Sequence, residues 1–462
     1  MCGLFGIYGH RDAARLCYLG LYALQHRGEG GAGIASYGNG QVKIHKGVGL
    51  ASEVFDEGKI RTLKGHLAIG HVHYSTTGES TLRNVEPFLV DYLKGPIAVA
   101  HNGSLTNGHK LRHELEKEGS LLQTITDSEI IVHLLAKANK RSLKEDIIWT
   151  LSQLEGAYSL LLTIGDLLVG IRDPKGFKPL ALGKFRNAYV LASEACALDL
   201  IQATYLREIE PGEVIFINKD GIENFKPLSP SKYSHCIFEY IYFARPDSNI
   251  FGQNVYLARK NLGRRLAIEH PVEADLVMPL PDSGNYAALG FAEQSRLPYE
   301  LGVVRNHYVG RTFIQPAQPI RDFKVKLKLN PIREVLRNKR IVIVEDSIVR
   351  GTTSRSRVKT LRKAGAKEIH MRVSCPPIRF PCFYGVDFPT KEELIASKFS
   401  IDQIREFMNL DSLGYLSQEG MLEAMPLPKE DFCTACFDGL YPVEPVGTAG
   451  VFIRNKKNIP GG

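Results

Sequence analysis

The sequence predicts a two-domain protein, α+β in its first half and α/β in its second, and three observations carry that expectation. Up to about residue 230, short apolar runs end in turn residues and mix with a few helical periods. Beyond it, strands and helices alternate in the βαβ rhythm of a parallel sheet, whose ligands bind at the carboxyl ends of its strands. Between the halves, Pro227 and Pro230 within KPLSPSKYS mark a linker. The domains are therefore expected at 1–231 and 232–462. A chain of 462 residues has room for about three domains at most, and two larger ones fit it comfortably.

In the first half, strands are expected at His66–Val72, Ile97–His101, Ser159–Ile164, Leu167–Arg172 and Tyr189–Ala192. Helices are expected at Lys110–Lys117, Ser128–Ala138 and Lys144–Leu154. In the second half, Ala258, Leu262 and Leu266 recur every fourth residue, as on a buried helix face. Asp275–Leu280 is a strand, followed by PDSG and a helix. Arg340–Val344 is a stronger strand, leading through a Gly/Thr turn into a helix over Thr352–Ala364. Gly365 is placed to cap that helix, and Glu368–Val373 resumes as a strand.

Composition excludes several classes. With 44% hydrophobic and 23% charged residues the chain can bury sizeable cores, so collagenous, coiled-coil and disordered architectures are out. No apolar run reaches the roughly 18 residues of a membrane span, and the best, Ala157–Ile171, breaks at Asp166. The start MCGLFGIYGHRD lacks the basic region and long apolar segment of a signal peptide. Eight cysteines are too sparse for a disulfide scaffold and fit reduced thiols or ligands, so a cytoplasmic setting is expected. The net charge of +8 is mild but concentrated: Arg305–Lys363 holds 16 Lys/Arg against 4 Asp/Glu. A confined basic stretch suits a phosphate-rich small ligand better than a duplex, so neither nucleic acid nor membrane is an expected partner.

Cys2 directly follows Met1, and a small second residue favours removal of the initiator Met. The freed α-amine, with a pKa of about 7.7–8.0, could then serve the thiol as its base. LQHRGEGGAGI, GHVHYSTTG and AHNGSLTN have the look of sharp strand-to-turn corners bearing polar groups. An Asn-Gly pair after an apolar strand, as at Asn102 and Gly103, can offer a side-chain amide and a backbone N–H side by side to an oxyanion. Asp127, in TITDSE at a helix start, could hold a substrate ammonium.

CGLFGI, HRG, the GHV-x-YSTTG segment, HNG-x-LTN and TDSE together resemble the glutaminase domain of class II glutamine amidotransferases. That resemblance implies an N-terminal-nucleophile hydrolase with an αββα sandwich. It also implies Cys2 as nucleophile, Asn102 with Gly103 as oxyanion hole, and Arg27, Gly103 and Asp127 as glutamine contacts. Two residues depart from it. His73 stands where the family usually has an Arg for the glutamine α-carboxylate, and histidine cannot make that bidentate fork. Glu29 stands where Gln is usual. Weak glutamine binding, or replacement of the Arg by another cation, is the expectation.

IVIVEDSIVRGTT, Ile341–Thr353, is an apolar strand, two carboxylates and a hydroxyl-rich loop entering a helix. Backbone N–H groups at that helix start can cradle a phosphate. Glu345 and Asp346 suit a sugar diol and its Mg²⁺ instead. The segment resembles the signature of type I phosphoribosyltransferases, whose ligand is 5-phosphoribosyl 1-diphosphate (PRPP). With YFARPDSNIFGQNV, PLPDSGNYAALG and YVGRTFIQP added, the whole chain resembles the glutamine PRPP amidotransferase family. By that resemblance Ser283, Glu345 and Asp346 are the Mg²⁺-associated positions. Asp346, Ser347, Ile348, Val349, Arg350, Gly351, Thr352 and Thr353 would grip PRPP, and Arg321–Lys328 would be a loop closing over it, with Lys328 a contact.

CTAC, Cys433–Cys436, is by itself ambiguous between zinc, a redox pair and an iron–sulfur cluster. The resemblance, here to the family's cluster-bearing branch, assigns Cys236, Cys382, Cys433 and Cys436 to a [4Fe–4S] cluster of structural role. Cys17, Cys196 and Cys375 are expected to pack as small apolar residues. The implied activity is glutamine hydrolysis coupled to ammonia transfer onto PRPP, giving 5-phosphoribosylamine, glutamate and pyrophosphate, the first committed step of de novo purine synthesis. A homotetramer inhibited by purine nucleotides is implied as well. The competing readings are an ammonia-dependent enzyme with an impaired glutaminase half and a non-catalytic PRPP-sensing regulator.

Overall fold

The computed structural model describes residues 1–74, 81–228, 232–306, 329–388 and 390–445. Two antiparallel sheets face each other in the first half. One runs in the order Thr204–Glu208, Ala181–Phe185, Ala188–Ala192, Gly3–Tyr8, Leu67–His73, Gly31–Gly38, Gln41–Val48. The other runs Gly221–Phe225, Val214–Asn218, Leu168–Arg172, Gly156–Ile164, Gly95–Leu105, Phe88–Tyr92. Leu4, Ile69, Ala98, Leu161, Leu168 and Leu191 fill the space between them. Helix Ala13–Ala23 covers the outer face of the first sheet. Helices Gly108–Lys117, Asp127–Ala138 and Leu143–Gln153 cover that of the second. The result is the four-layer αββα sandwich.

Central strands of such a sandwich are covered on both faces. All six residues of Gly3–Tyr8 are buried, Phe5 and Ile7 toward the helical layer, Leu4 and Tyr8 toward the facing sheet. Apolar side chains on both faces erase the period-two alternation that marks a half-buried strand. Most expected strands and helices appear within one to three residues of their predicted ends. The strand over Gly95–Leu105 is longer than expected, because its ladder with Gly156–Ile164 continues through the polar run His101–Ser104. Gly31–Gly38, expected as a corner, is also a strand.

The second half contains a four-stranded parallel sheet, ordered Leu276–Pro279, Arg340–Glu345, Glu368–Val373, Ser412–Tyr415. Ala258, Leu262 and Leu266 on helix Val255–Glu269 are fully buried, as their spacing requires. That helix packs backbone to backbone on Asn285–Ser295, where a Cβ on Gly263 would stand 1.8 Å from the Ala287 carbonyl oxygen. Gly351, at φ +73°, opens helix Thr352–Lys363, and Gly365, at φ +100°, follows its C-cap Ala364. Cys17, Cys196 and Cys375 are buried thiols, and burial pushes all three up. Among the described residues, no helix is long and apolar enough to cross a membrane. Residues 229–231, within the expected linker, and Arg321–Lys328 lie outside the described residues.

Candidate active sites

Cys2 sits at the head of strand Gly3–Tyr8, whose neighbour Leu67–His73 runs antiparallel with Gly3 opposite Val72 and Leu4 opposite His71. One step further along this register, Cys2 meets His73. Side chains two apart on a strand share a face, so His71 and His73 both turn to the thiol. A donor atom from each of the three lies within 4.8 Å of the other two. Burial alone would raise the Cys2 thiol, but the charge of His71 and hydrogen bonds from His71 and His73 hold it well below its ordinary value.

Asn102 completes the corner. Its Oδ1 accepts a hydrogen bond from the Cys2 backbone N–H at 3.1 Å. That fixes the orientation of the amide, and Nδ2 is left buried without a partner. A buried N–H₂ group with nothing to donate to is costly, so its persistence marks a place where an acceptor is meant to arrive. Gly103 is at φ +152°, and a Cβ there would meet the Ala157 carbonyl oxygen at 2.0 Å, so the position admits glycine alone.

The guanidinium of Arg27, expected to contact glutamine, is fully buried next to Cys2. Nε donates to the Cys2 carbonyl at 2.9 Å, and the terminal nitrogens donate to Glu194 at 2.5 Å and to both oxygens of Glu239 at 2.8 and 3.0 Å. A buried guanidinium needs carboxylates, and the chain supplies two from distant segments. Glu239 begins a π-helical turn, Glu239–Phe243, in the second half of the chain, so the contact joins the halves directly under the thiol. Asp127 opens helix Asp127–Ala138, and its Oδ2 accepts from the Leu105 N–H at 2.9 Å. The contacts recorded for Asp127 are thus to backbone at the far end of the Asn102 strand.

The depressed thiol makes a first prediction. Iodoacetamide should alkylate Cys2 at a rate that falls less steeply from pH 8 to about 6 than that of a thiol of pKa about 8.5, which loses over 90% of its thiolate across that range. In His71→Asn the rate should fall as pH drops through the ordinary range. Peptide mass spectrometry of alkylated protein reads both profiles.

In the second half, the strand Arg340–Glu345 delivers Glu345 and Asp346 to the carboxyl edge of the parallel sheet. Asp346 accepts hydrogen bonds from the hydroxyls of Ser283 and Ser347. Glu345 is buried and pairs with Arg357 at 3.0 Å, yet burial and the neighbouring Asp346 push it up to about 8. One guanidinium does not balance two clustered carboxylates. Ile348 is buried in the second core, Val349 is packed against it, and Ser347 to Thr353 wrap toward the helix start. Arg350 reaches Glu393 at 3.5 Å.

Cys236, Cys382, Cys433 and Cys436 line a single apolar cavity with Phe238, Tyr384, Val386 and Phe388. Two of them arrive side by side, because strand His235–Cys236 pairs in parallel with Phe432–Cys433. The Cys382 sulfur accepts from the Tyr384 N–H at 3.3 Å. The segment also reaches the first site: Tyr384 stacks on Phe177 at 4.3 Å, and a Cβ on Gly385 would stand 2.8 Å from the Gly103 carbonyl carbon.

Sequence reasoning missed His71, Glu194 and Glu239. A signal existed for His71, which lies in the expected strand His66–Val72 two residues before His73, so one further residue of strand sets both on one face. Glu194 and Glu239 carried none, because nothing local tells a carboxylate destined for burial from a solvated one.

A sandwich of this kind with cysteine at its head places the first half among class II glutamine amidotransferases. Residues 80–200 match the family described as "Glutamine amidotransferase domain". Over nearly the whole chain the likeness narrows. The chain is 52% identical to "Amidophosphoribosyltransferase 1, chloroplastic" of Arabidopsis thaliana over 96% of its length and 79% of the relative's. It is 49% identical to the amidophosphoribosyltransferase of Bacillus subtilis over 96% and 94% of the two chains. The fold superposes at a TM-score of 0.91, with 48% identity, on "glutamine phosphoribosylpyrophosphate (PRPP) amidotransferase from B. subtilis complexed with ADP and GMP", covering 97% and 98% of the chains. The chain belongs to the amidophosphoribosyltransferase family.

Proposed function

We propose that Cys2 takes the amide nitrogen from glutamine and that the second site places it on PRPP. The observation that carries this reading is the buried, unpartnered Nδ2 of Asn102, oriented by the Cys2 N–H. The Cys2 sulfur attacks the carboxamide carbon, and the oxyanion accepts from Asn102 Nδ2 and the Gly103 N–H. Collapse expels ammonia and leaves a γ-glutamyl thioester, which water converts to glutamate. With Met1 removed, the Cys2 α-amine serves as the base. Ammonia passes internally to the second site and displaces pyrophosphate from C1, giving 5-phosphoribosylamine.

Asp346 to Thr353 hold PRPP in this reading, its 5′-phosphate resting on the hydroxyls and N–H groups from Ser347 to Thr353. Lys328 lies outside the described residues. Mg²⁺, held by Glu345, Asp346 and Ser283, would offset charge on the departing pyrophosphate. The clustered, under-balanced carboxylates fit such an ion. Cys236, Cys382, Cys433 and Cys436 would hold the [4Fe–4S] cluster. The convergence of all four on one apolar cavity, shielded by Phe238, Tyr384, Val386 and Phe388, supports that assignment. The cluster's loop packs on Gly103, so loss of the cluster on exposure to air should lower glutamine-dependent turnover more than ammonium-dependent turnover.

A cytoplasmic homotetramer is part of this reading, as is inhibition by purine nucleotides, consistent with the ADP and GMP in the B. subtilis relative.

The test is PRPP-dependent pyrophosphate release by anaerobically purified protein, with glutamine or ammonium as donor. Both donors should work in the wild type, and Asp346→Asn should abolish both. Failure of both in iron-replete wild type would overturn the reading. The position of His73 carries its own expectation. His73→Arg should lower the glutamine KM by about tenfold or more, the worth of one regained charge-assisted contact. An unchanged KM would mean that another group already holds the α-carboxylate.

A further inference from the structure

We propose that Cys2, His71 and His73 form a binding site for a thiophilic divalent transition ion, Zn²⁺ being the representative, and that its occupancy reversibly silences the nucleophile. The inference rests in part on the reading of Cys2 as nucleophile. Two observations carry the site itself. A ligand atom from each of the three side chains lies within 4.8 Å of the others, and among the described residues no other such group exists. His71 is prepared as a ligand. Its side chain is 1% exposed, and its Nε2 is held by the His101 carbonyl oxygen at 3.2 Å with the Glu86 carboxylate at 3.5 Å. A carbonyl can only accept, so Nε2 bears a proton and Nδ1 is the nitrogen left to face Cys2. That Nδ1 is buried with no partner other than the Cys2 thiol, and a metal ion would displace the proton held between the two. Such an outer carbonyl or carboxylate is the usual support for a metal-bound imidazole.

One thiolate and two imidazoles form a three-ligand set that leaves a fourth position open, as zinc accepts. Ligand atoms within 4.8 Å need only small side-chain rotations to reach Zn–S of about 2.3 Å and Zn–N of about 2.0–2.1 Å. The fourth position is open to water or to the α-amine of Cys2 after Met1 removal, which would chelate through the same residue. Zinc draws electron density from a bound sulfur and crowds its approach, which slows attack on a carboxamide, whereas the parallel-sheet domain holds none of the three ligands. Zinc therefore separates the two donors, stopping glutamine and sparing ammonium.

The experiment measures carboxymethylation of Cys2 in cluster-loaded protein by iodoacetamide, followed on the N-terminal peptide by mass spectrometry, with and without Zn²⁺. At a zinc concentration about ten times the dissociation constant, alkylation should slow about tenfold, and a chelator should restore it. His73→Arg and His73→Gln, each checked for a native melting transition, should lose most of the protection. Equal alkylation rates with and without Zn²⁺, or undiminished protection in both variants, would overturn the site. Zinc that protects Cys2 while glutamine-dependent turnover continues would leave the site standing and defeat the nucleophile reading instead.

Discussion

Cys2→Ala is expected to abolish glutamine-dependent pyrophosphate release, by at least about 10⁴-fold in kcat, while turnover with ammonium persists. The asymmetry follows from the architecture. The thiol belongs to the sandwich, and the groups that would receive PRPP lie at the carboxyl edge of a separate parallel sheet. Asn102→Ala removes one donor to the oxyanion, so a loss of about 10²- to 10³-fold in kcat with glutamine is expected, with a smaller change in KM. Steady-state kinetics with each donor reads both variants. If Asn102→Ala lowered ammonium-dependent turnover equally, Asn102 would be acting through the fold and not at an oxyanion.

The second large effect is on stability. Arg27→Ala leaves Glu194 and Glu239 buried and facing each other without their shared cation. Breaking a buried ion network from one side costs about 3–5 kcal/mol. In a domain of this size that is a fall in melting temperature of roughly 6–20 °C. Arg27→Lys should recover only part of it, because one compact ammonium with three donors cannot span the four bonds that the planar fork makes to the Cys2 carbonyl, Glu194 and both oxygens of Glu239. Acid should act on the same cluster. Burial alone would raise Glu194, but His26 and Arg27 beside it outweigh burial and hold it well below the usual carboxylate range. A carboxylate depressed in the fold contributes stability above its unfolded value of about 4.3, and that contribution is lost as pH falls toward the folded value. Melting temperature should therefore drop more steeply below pH 4 in wild type than in Glu194→Gln. Parallel slopes in differential scanning calorimetry would mean that Glu194 is not the group responsible.

The elements most legible in the sequence are those whose physics is local. Ala258, Leu262 and Leu266 announce a helix face because 3.6-residue periodicity is a property of the chain itself, and all three are buried. Glu345-Asp346 followed by Ser347 to Thr353 is a contiguous loop, so its carboxylates and hydroxyls were bound to emerge together at a strand end. Cys2 and the Asn102–Gly103 pair were legible by resemblance, although 100 positions separate Cys2 from Asn102. Other features existed only once the chain had closed. Gly31–Gly38 has too many glycines to declare itself a strand, and becomes one because Gln41–Val48 and Leu67–His73 flank it on both sides. Arg27 offered a guanidinium that any anion could take. Which anion took it was settled by Glu194 and Glu239, arriving from 167 and 212 positions away. Side-chain type and short-range spacing thus determined the fold of each half and the loop, and the resemblance supplied the expected reactive groups. Burial, pairing and the protonation of those groups were decided by tertiary structure, because desolvation and Coulomb energy depend on distances that the linear order of residues does not contain.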